Sequence, residues 1–246
     1  INSAVNNKIK QLNQSRQPSR DAYAKYSNGK VYIVPAVQGD QYSRKGLAEQ
    51  VNYRLPNGTI RLHPSYIKPI TSKSQTVQNE KQHLTKMKGK TVNYQVQGHS
   101  YHLTANDIVS TATYRDGHYH FDTSPTNNIV AKINHKQATL GDSFTFKTPN
   151  GNTIKTASGG NYGWKISAKQ AGNSLSSALA NGQQQINASH DLVGKGFNHH
   201  GTGYTTTSNH GLGNTYAVVS LNQQHAWFYE NGKCVMSEDI VSGSDT

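Results

Sequence analysis

Residues 39–58 read GDQYSRKGLAEQVNYRLPNG, and residues 163–182 read GWKISAKQAGNSLSSALANG. Aligned without a gap, these two windows of 20 residues agree at six positions. The matching residues are Gly39 and Gly163, Ser43 and Ser167, Lys45 and Lys169, Leu55 and Leu179, Asn57 and Asn181, and Gly58 and Gly182. In each window the serine is placed as a helix N-cap and Asn-Gly as the left-handed stop. The windows therefore predict a duplicated unit, with convergent use of capping residues as the alternative.

The flanking sequence extends the proposed unit. Each window follows two alternating stretches that predict a β-hairpin, residues 22–26 with 30–34 and residues 144–148 with 152–155. The intervening turns are Ser27-Asn28-Gly29 and Pro149-Asn150-Gly151. Apolar residues fall on one face of each predicted helix, at Leu47, Val51 and Leu55 and at Ala171, Leu175 and Leu179.

The remaining sequence predicts further helices and strands, and an α+β fold overall. One amphipathic helix covers residues 1–12 through Val5, Ile9 and Leu12, and another covers residues 74–88 through Val77, Leu84 and Met87. Ser124 and Pro125 predict an N-cap and first turn for a third, with Ile129 and Ile133 inward. Predicted strands cover residues 91–96, 100–103, 118–122, 216–221, 226–229 and 233–236. Residues 197–214 contain almost no apolar side chain and predict a linker.

Composition restricts the class of protein. Of 246 residues only 33% are hydrophobic and 15% charged, while 24 Asn and 18 Gln outnumber 13 acids. The chain reaches a net charge of +12 and a pI near 9.6, so polyanions are natural partners. Because the basic residues are scattered, a nucleic-acid groove is weakly supported. No run approaches the ~18 apolar residues of a membrane span. The start at Ile1 suggests a mature form or an excised piece.

Few residues suggest chemistry. His118, His120 and Asp122 alternate along one predicted strand and so face the same way, which fits a solvated face better than a metal site. Cys234 is the single cysteine; it excludes an internal disulfide and is expected to be a small buried strand residue. No catalytic residue, metal site or cofactor is predicted.

The C-terminal strands resemble the start of a bacterial L,D-transpeptidase catalytic domain of the YkuD type. The resemblance rests on LGNTYAVVSL at 212–221, QHAWFY at 224–229, NGK at 231–233 and DIVSG at 239–243. Residues 144–182, with GGNYGWKI at 159–166, resemble the peptidoglycan-binding module that precedes this domain in Gram-positive members. The first unit, up to YIKP at 66–69, resembles a more divergent copy.

The resemblance implies a domain order and a reaction. The expected domains are residues 1–72 and 73–196, each a peptidoglycan-binding-like module, a linker at 197–214, and the truncated start of the catalytic domain at 215–246. Family members use a cysteine in a Ser/Thr-His-Gly-Cys motif to transfer an acyl group between peptidoglycan stem peptides. Asn209-His210-Gly211-Leu212 lacks that cysteine, so the chain by itself is expected to be inactive.

The expected function is peptidoglycan binding at the cell surface, outside the cell, aided by anionic wall polymers, with a membrane anchor only outside this chain. A non-catalytic adhesin for surface glycans is the alternative, and a nucleic-acid binder is a weaker one. Within the second module, Tyr162 and Trp164 are expected to form local core beside the Gly159-Gly160 turn, with sugar stacking as the less favoured role.

Overall fold

The computed structural model describes residues 3–54, 62–147, 151, 153–194 and 213–243, and it has an α+β fold. Its helices are α1 Ser3–Asn13, α2 Arg44–Arg54, α3 Gln75–Lys88, α4 Ala105–Ile108, α5 Ser124–Gln137 and α6 Ala168–Asn181, with a 3₁₀ turn at Ala188–Asp191. Its strands are β1 Tyr23–Ser27, β2 Lys30–Val34, β3 Thr91–Val96, β4 His99–Thr104, β5 Thr111–Arg115, β6 His118–Asp122, β7 Thr145–Lys147, β8 Thr153–Lys155, β9 Lys165–Ile166, β10 Gln185–Asn187, β11 Leu192–Val193, β12 Tyr216–Ser220, β13 His225–Glu230 and β14 Lys233–Asp239.

The chain divides into two compact units that interleave along the sequence. One contains the residues up to Lys90 together with Val109–Asp122, and the other contains Thr91–Ile108 together with the residues from Thr123 onward. The domain boundaries expected from the sequence were based on similarity between segments of the chain. Contacts within the fold do not test that similarity, so these boundaries stay a prediction.

The first unit is built on an antiparallel sheet with the strand order β2-β1-β5-β6. Helix α3 packs on this sheet, burying Val77, Leu84 and Met87 on the side where Ala24 and Tyr26 are also buried. Ser74 caps α3 by accepting a hydrogen bond from the Val77 amide.

The second unit places α6 against β3 and α5. Strand β3 pairs antiparallel with β4 and parallel with β10, which joins residues about 90 positions apart, as in the pairing of Tyr94 with Ile186. The Ser167 hydroxyl accepts a hydrogen bond from the Gln170 amide at the start of α6, and Gly182 ends the helix in the left-handed conformation at φ 72°. Both capping roles were predicted from the aligned windows.

In each unit, one asparagine side chain forms two hydrogen bonds with the backbone of the residue just before the N-cap serine; we call this pair of bonds an asparagine bracket. In the first unit, Asn13 Nδ2 donates to the Tyr42 carbonyl at 3.1 Å, and the Tyr42 amide donates to Asn13 Oδ1 at 2.8 Å. In the second, Asn134 Nδ2 donates to the Ile166 carbonyl at 3.0 Å, and the Ile166 amide donates to Asn134 Oδ1 at 2.8 Å. Tyr42 and Ile166 occupy equivalent positions in the aligned windows.

The contacts that follow the bracket also correspond. Tyr42 forms a bridge with Tyr66, and Ile166 pairs with Leu192 in β11. The amides of both capping serines then donate to returning chain, Ser43 to the Ser65 carbonyl at 2.6 Å and Ser167 to the Asp191 carbonyl at 2.8 Å. Matching contacts at matched positions support duplication more strongly than capping preferences alone.

We expect Asn134→Ala to lower the free energy of unfolding by about 2–3 kcal/mol, because the Ile166 amide and carbonyl lose their partners in a half-buried site. Chemical denaturation followed by circular dichroism measures this. Asn128→Ala, at an exposed position of the same helix, is the matched control and should change stability by less than about 0.5 kcal/mol. Equal stability of the two variants would contradict the bracket's role.

Three predicted details differ from the structure. Leu12 is 41% exposed rather than inward, and α1 continues to Asn13, whose side chain bonds to Tyr42. The N-cap of α5 is Thr123, which makes no side-chain capping bond, so Ser124 already lies inside the helix. Cys234 is exposed, as described below. The Asn57-Gly58 stop, the Pro149-Asn150 turn and the linker up to residue 212 lie outside the described residues.

Candidate functional site

A cleft in the second unit lies beside the β7–β8 hairpin and the Gly159-Gly160 turn. Strands β7 and β8 pair Phe146 with Ile154. The backbone pairing continues where the Thr156 amide donates to the Phe144 carbonyl at 2.9 Å, and the Phe144 amide donates to the Thr156 side chain, at Oγ1, at 2.8 Å. Side chains alternate across a strand, so Phe144, Phe146 and Ile154 share one face of the hairpin. One face of the hairpin is therefore apolar.

The cleft has a volume of about 350 Å³. Its lining residues are Asp142, Phe144, Phe146, Thr156, Ala157, Gly160, Asn161 and Tyr162. The ring of Phe144 meets Tyr162 edge-on, with ring centroids 5.2 Å apart, and lies 6.4 Å from the ring of Phe146. An aromatic wall with a few polar groups at the rim is the usual make-up of a small-ligand site.

Backbone contacts fix the turn that closes the cleft. The Gly141 amide donates to the Tyr162 carbonyl at 3.1 Å, and the Gly159 amide donates to the Gly141 carbonyl at 2.8 Å. Gly141 and Gly159 have φ values of 85° and 81°, which side-chain-bearing residues seldom adopt. The backbone of Tyr162 is therefore held in place by the turn, and its ring contacts the ring of Phe144.

The charge around the cleft is low and slightly acidic. Among the described residues that line it, Asp142 is the charged one, and it is exposed. Lys147 and Lys155 pair with Thr153 and Thr145 on the opposite face of the hairpin, away from the aromatic rings. A phosphate group would meet a carboxylate here, whereas an uncharged polyol would find rings to stack on and polar groups at the rim.

The two aromatic residues considered in the sequence have different roles. Trp164 is 3% exposed, which confirms its assignment to local core. Tyr162 is half-buried and lines the cleft, so its ring is available to a ligand. Phe146, which is half-buried and lines the cleft, was missed as a candidate site residue, although its spacing from Phe144 on one predicted strand indicated a shared face. Phe144 is itself 7% exposed and backs the cleft from the core.

The expectation for Cys234 is wrong. Its thiol is exposed on β14 and lies 3.3 Å from the Met236 carbonyl. The alternation of apolar and polar residues predicted one buried face for this strand, but every residue of β14 is exposed.

A hydrogen-bonded trio on β13 and β14 was not anticipated from the sequence. His225 Nδ1 lies 2.6 Å from Asp239 Oδ1, and His225 Nε2 lies 2.7 Å from Ser237 Oγ. The Asn231-Gly232 turn alone would place His225 opposite Glu238, but an irregularity between Phe228 and Tyr229 shifts the register by one residue. Asp239 is 93% exposed, so water competes for its carboxylate and the trio mainly ties β13 to β14.

The predicted solvated face on β6 is confirmed by burial. His118, His120 and Asp122 are exposed, and the Asp122 carboxylate accepts a hydrogen bond from Ser110 Oγ at 2.7 Å. Among the residues that the structure describes, no group of three or more His, Cys, Asp or Glu side chains could hold a metal ion.

A second cleft, of about 280 Å³, lies in the first unit. Asp21, Glu80 and Asp116 line it together with Arg115, whose guanidinium lies 4.4 Å from the centroid of the Tyr23 ring. Glu80 is buried because its Oε2 accepts a hydrogen bond from the Ala24 amide at 2.9 Å. This carboxylate therefore joins α3 to β1.

Comparison with known proteins gives two similar solved structures. One is the crystal structure of a cysteine-to-serine mutant of the Enterococcus faecium L,D-transpeptidase, with 25% identity and a TM-score of 0.38 over 66% of this chain. The other is the Ldtfm-avibactam carbamoyl enzyme, with 27% identity and a TM-score of 0.38 over 66% of this chain. This chain spans 61% and 60% of their lengths. No protein-family model matches the chain, and no curated protein does.

None of the helices in the described part of the chain has the length and apolar character to span a bilayer.

Proposed function

We propose that this chain binds peptidoglycan and positions an L,D-transpeptidase on it, as the part of such an enzyme that precedes the cysteine motif. The aromatic cleft beside the β7–β8 hairpin is the binding site for the glycan, and residues 215–246 are the first strands of the catalytic domain. The site lies outside the cell, at the wall of a Gram-positive bacterium. The transfer itself requires a Ser/Thr-His-Gly-Cys motif, which the 246 residues do not contain.

The observation that carries the proposal is the aromatic face of the cleft, formed by Phe144, Phe146 and Tyr162. It falls within the stretch 144–182 that resembles the peptidoglycan-binding module. Aromatic faces bury the apolar faces of sugar rings, while Asp142 and Asn161 at the rim can hydrogen-bond to hydroxyl groups. In the described part of the chain no lysine or arginine lines the cleft, which favours an uncharged glycan over a polyphosphate.

We expect Phe146→Ala and Tyr162→Ala each to weaken binding to soluble peptidoglycan glycan fragments by about 10- to 100-fold. Truncating an aromatic anchor of a binding site typically costs about 2 kcal/mol. A loss of about 1.4 kcal/mol corresponds to a factor of 10 in affinity. Isothermal titration calorimetry measures the affinity. Tyr32→Ala, a change at a 44% exposed tyrosine of the other unit, is the matched control and should leave the affinity unchanged.

The dependence of binding on salt concentration distinguishes binding of glycan in the cleft from general electrostatic attraction of the chain to the wall. Because the lining residues that the structure describes include no basic side chain, cleft binding to uncharged glycan should change little with ionic strength. Binding of the +12 chain to whole walls that carry anionic polymers should weaken as salt rises. If the cleft variants bind glycan fragments as well as the parent chain does, the cleft is not the site.

A surface adhesin would use the same cleft chemistry on other glycans. A pull-down that compares purified peptidoglycan with host mucins distinguishes the two functions, because preferential retention on mucin would overturn the wall assignment. Strongly salt-dependent binding to DNA, together with no binding to peptidoglycan, would also overturn the wall assignment and would indicate a nucleic-acid function.

A further inference from the structure

The antiparallel sheet of the first unit has two faces of different character. Side chains alternate along a strand, and directly opposite residues of paired strands point to the same side. One face carries the buried Ala24 and Tyr26, and α3 packs on it. The alternate positions place Lys25, Lys30 and Arg115 on the other face. Three basic side chains are therefore gathered on the side of the sheet opposite to α3.

These three basic groups are available to a ligand. Lys30 and Arg115 are exposed, and Lys25 is half-buried. Within the described part of the chain none of the three forms an ion pair. Of the neighbouring acids, Asp122 lies on the edge strand β6, two strands away from β1, and Asp116 lies in the turn between β5 and β6. The middle of this face is therefore positively charged.

The three cations lie on a diagonal line across β5, β1 and β2. Lys30 on β2 is opposite Ser27, so it is the diagonal neighbour of Lys25, two residues earlier on β1. Tyr23 lies two residues before Lys25, and the Arg115 guanidinium is 4.4 Å from the centroid of the Tyr23 ring. Arg115 on β5 is therefore the diagonal neighbour of Lys25 on the other side. Diagonal neighbours on adjacent strands are about 7–8 Å apart, so the line presents evenly spaced positive charges.

Hydroxyl groups lie next to this line. Ser27 is opposite Lys30 on β2 and opposite Thr111 on β5. Their hydroxyls can donate hydrogen bonds to the phosphate oxygens or to the hydroxyl groups of a ligand. A single line of cations with hydroxyl donors beside it fits one chain of phosphodiester groups, because a nucleic-acid duplex would present two phosphate backbones.

The aromatic rings on this face argue against a single-stranded nucleic acid. Proteins bind single strands by stacking successive bases on aromatic side chains. The Tyr23 ring is covered by the Arg115 guanidinium, and Tyr32, which is 44% exposed, is the other tyrosine on this face of the described strands. One open tyrosine ring cannot stack a run of bases. The charges and hydroxyl groups therefore indicate a polyanion without bases.

We propose that this face binds a linear polyol phosphate, with phosphodiester groups against Lys25, Lys30 and Arg115 and the polyol between them against the serine and threonine hydroxyls. The anionic polymers of a bacterial cell wall are the ligands of this chemistry that the chain would meet at its proposed location. The site lies in the first unit and uses none of the residues of the glycan cleft, so it goes beyond the proposed function.

We expect a short synthetic poly(glycerol phosphate) to bind the chain with an affinity that falls steeply as the salt concentration rises. The triple variant Lys25→Gln, Lys30→Gln and Arg115→Gln should bind it about tenfold more weakly or worse. The slope of log affinity against log salt should become shallower by about 2, because each contact with a single phosphate chain contributes about 0.7. Isothermal titration calorimetry over a series of salt concentrations measures both quantities.

The matched control removes the same three charges from the same unit. The triple variant Lys81→Gln, Lys86→Gln and Lys88→Gln changes exposed positions of α3, which packs on the other face of the sheet. It should weaken binding by less than about threefold, because charges distant from a bound polymer are screened by salt. Equal losses in the two triple variants would overturn the proposal, since net charge alone would then explain binding. If the first triple variant fails to fold, Lys30→Glu alone, at an exposed position, should still weaken binding.

A second polyanion tests the kind of ligand. An oligodeoxythymidine with the same number of phosphates should bind more weakly than the polyol phosphate, because this face cannot stack successive bases. Equal or tighter binding of the oligodeoxythymidine would overturn the proposal in favour of a nucleic-acid partner, and so would a failure of the polyol phosphate to bind at low salt. The polyol phosphate contains no sugar ring, whereas the cleft is tested with uncharged glycan fragments, so the two proposals fail independently.

Discussion

Gly163→Ala should lower the free energy of unfolding by more than about 4 kcal/mol, or prevent folding of the second unit. Gly163 has φ 109°, which strains any residue with a Cβ, and an added Cβ would overlap the Thr139 carbonyl oxygen. Backbone approaches closely here because the Trp164 carbonyl accepts hydrogen bonds from the amides of Thr139 and Leu140, at 2.9 and 3.0 Å. The obstacle is main chain, which cannot swing aside as a flexible side chain can.

Thermal unfolding measures the effect, which at about 2–4 °C per kcal/mol should lower Tm by roughly 10 °C or more. Gly160→Ala is the matched control, three residues away. A Cβ there would meet no heavy atom within 4 Å, so its stability should stay within about 1 kcal/mol of the parent chain. Gly39→Ala should also be strongly destabilising, because its Cβ would overlap the Gln17 carbonyl. If Gly163→Ala unfolds like Gly160→Ala, the close approach of the two chain segments is wrong.

Asp191→Ala should cost about 3–5 kcal/mol, because it removes the centre of a buried hydrogen-bond network. Asp191 is 1% exposed, Tyr94 donates to its Oδ2 at 2.6 Å, and Ser174 donates to its Oδ1 at 2.6 Å. These residues come from β3, α6 and the 3₁₀ turn, so the network holds three elements together. Without the carboxylate, two hydroxyl groups lose their acceptor, one of them in the fully buried Tyr94.

The same network gives stability a pH dependence. Burial raises the pKa of the Asp191 carboxyl above its ordinary value, against the opposing effects of the Ser174 and Tyr94 hydrogen bonds and of nearby His190. Between the ordinary and the raised pKa the folded chain binds more protons than the unfolded chain does. This group's contribution to stability is therefore greatest below the ordinary pKa and declines as pH rises through the folded value.

Urea denaturation at a series of pH values tests the sign. Asp191→Asn removes the titrating group while keeping its size. The free energy of unfolding of the parent chain, relative to that of the variant, should therefore fall as pH rises from about 4. Asp142→Ala, at the exposed carboxylate of the cleft, is the control and should change stability by less than about 0.5 kcal/mol. An Asp191→Ala variant as stable as this control would contradict the network.

Local signals predicted the elements whose causes lie within a few residues. Ser167 caps α6, and Gly182 ends it. Asn28 and Gly29 turn the first hairpin at φ 45° and 80°, because Asn and Gly tolerate the left-handed region. Errors occurred where packing rather than local chemistry decides, as in the exposure of Leu12 and of Cys234.

The candidate site was only partly predictable. The sequence pointed to the stretch that contains Tyr162 and Trp164 but favoured core for both, and only Trp164 is core. Which ring faces the cleft depends on how the turn at Gly141 and Gly159 folds back on the β7–β8 hairpin. This contact joins segments that are separated in sequence, so the spacing of apolar residues along the chain does not predict it.

By itself, the sequence determined the α+β class, the two serine-capped helices with their hairpins, the basic and amide-rich surface, and a resemblance to L,D-transpeptidases. These follow from composition, capping chemistry and residue alternation, which act locally. Only the tertiary structure decided the parallel pairing of β3 with β10, the buried trio of Tyr94, Ser174 and Asp191, and the asparagine brackets. These depend on backbone and side-chain groups that are distant in sequence and satisfy each other's hydrogen bonds only after the chain has folded.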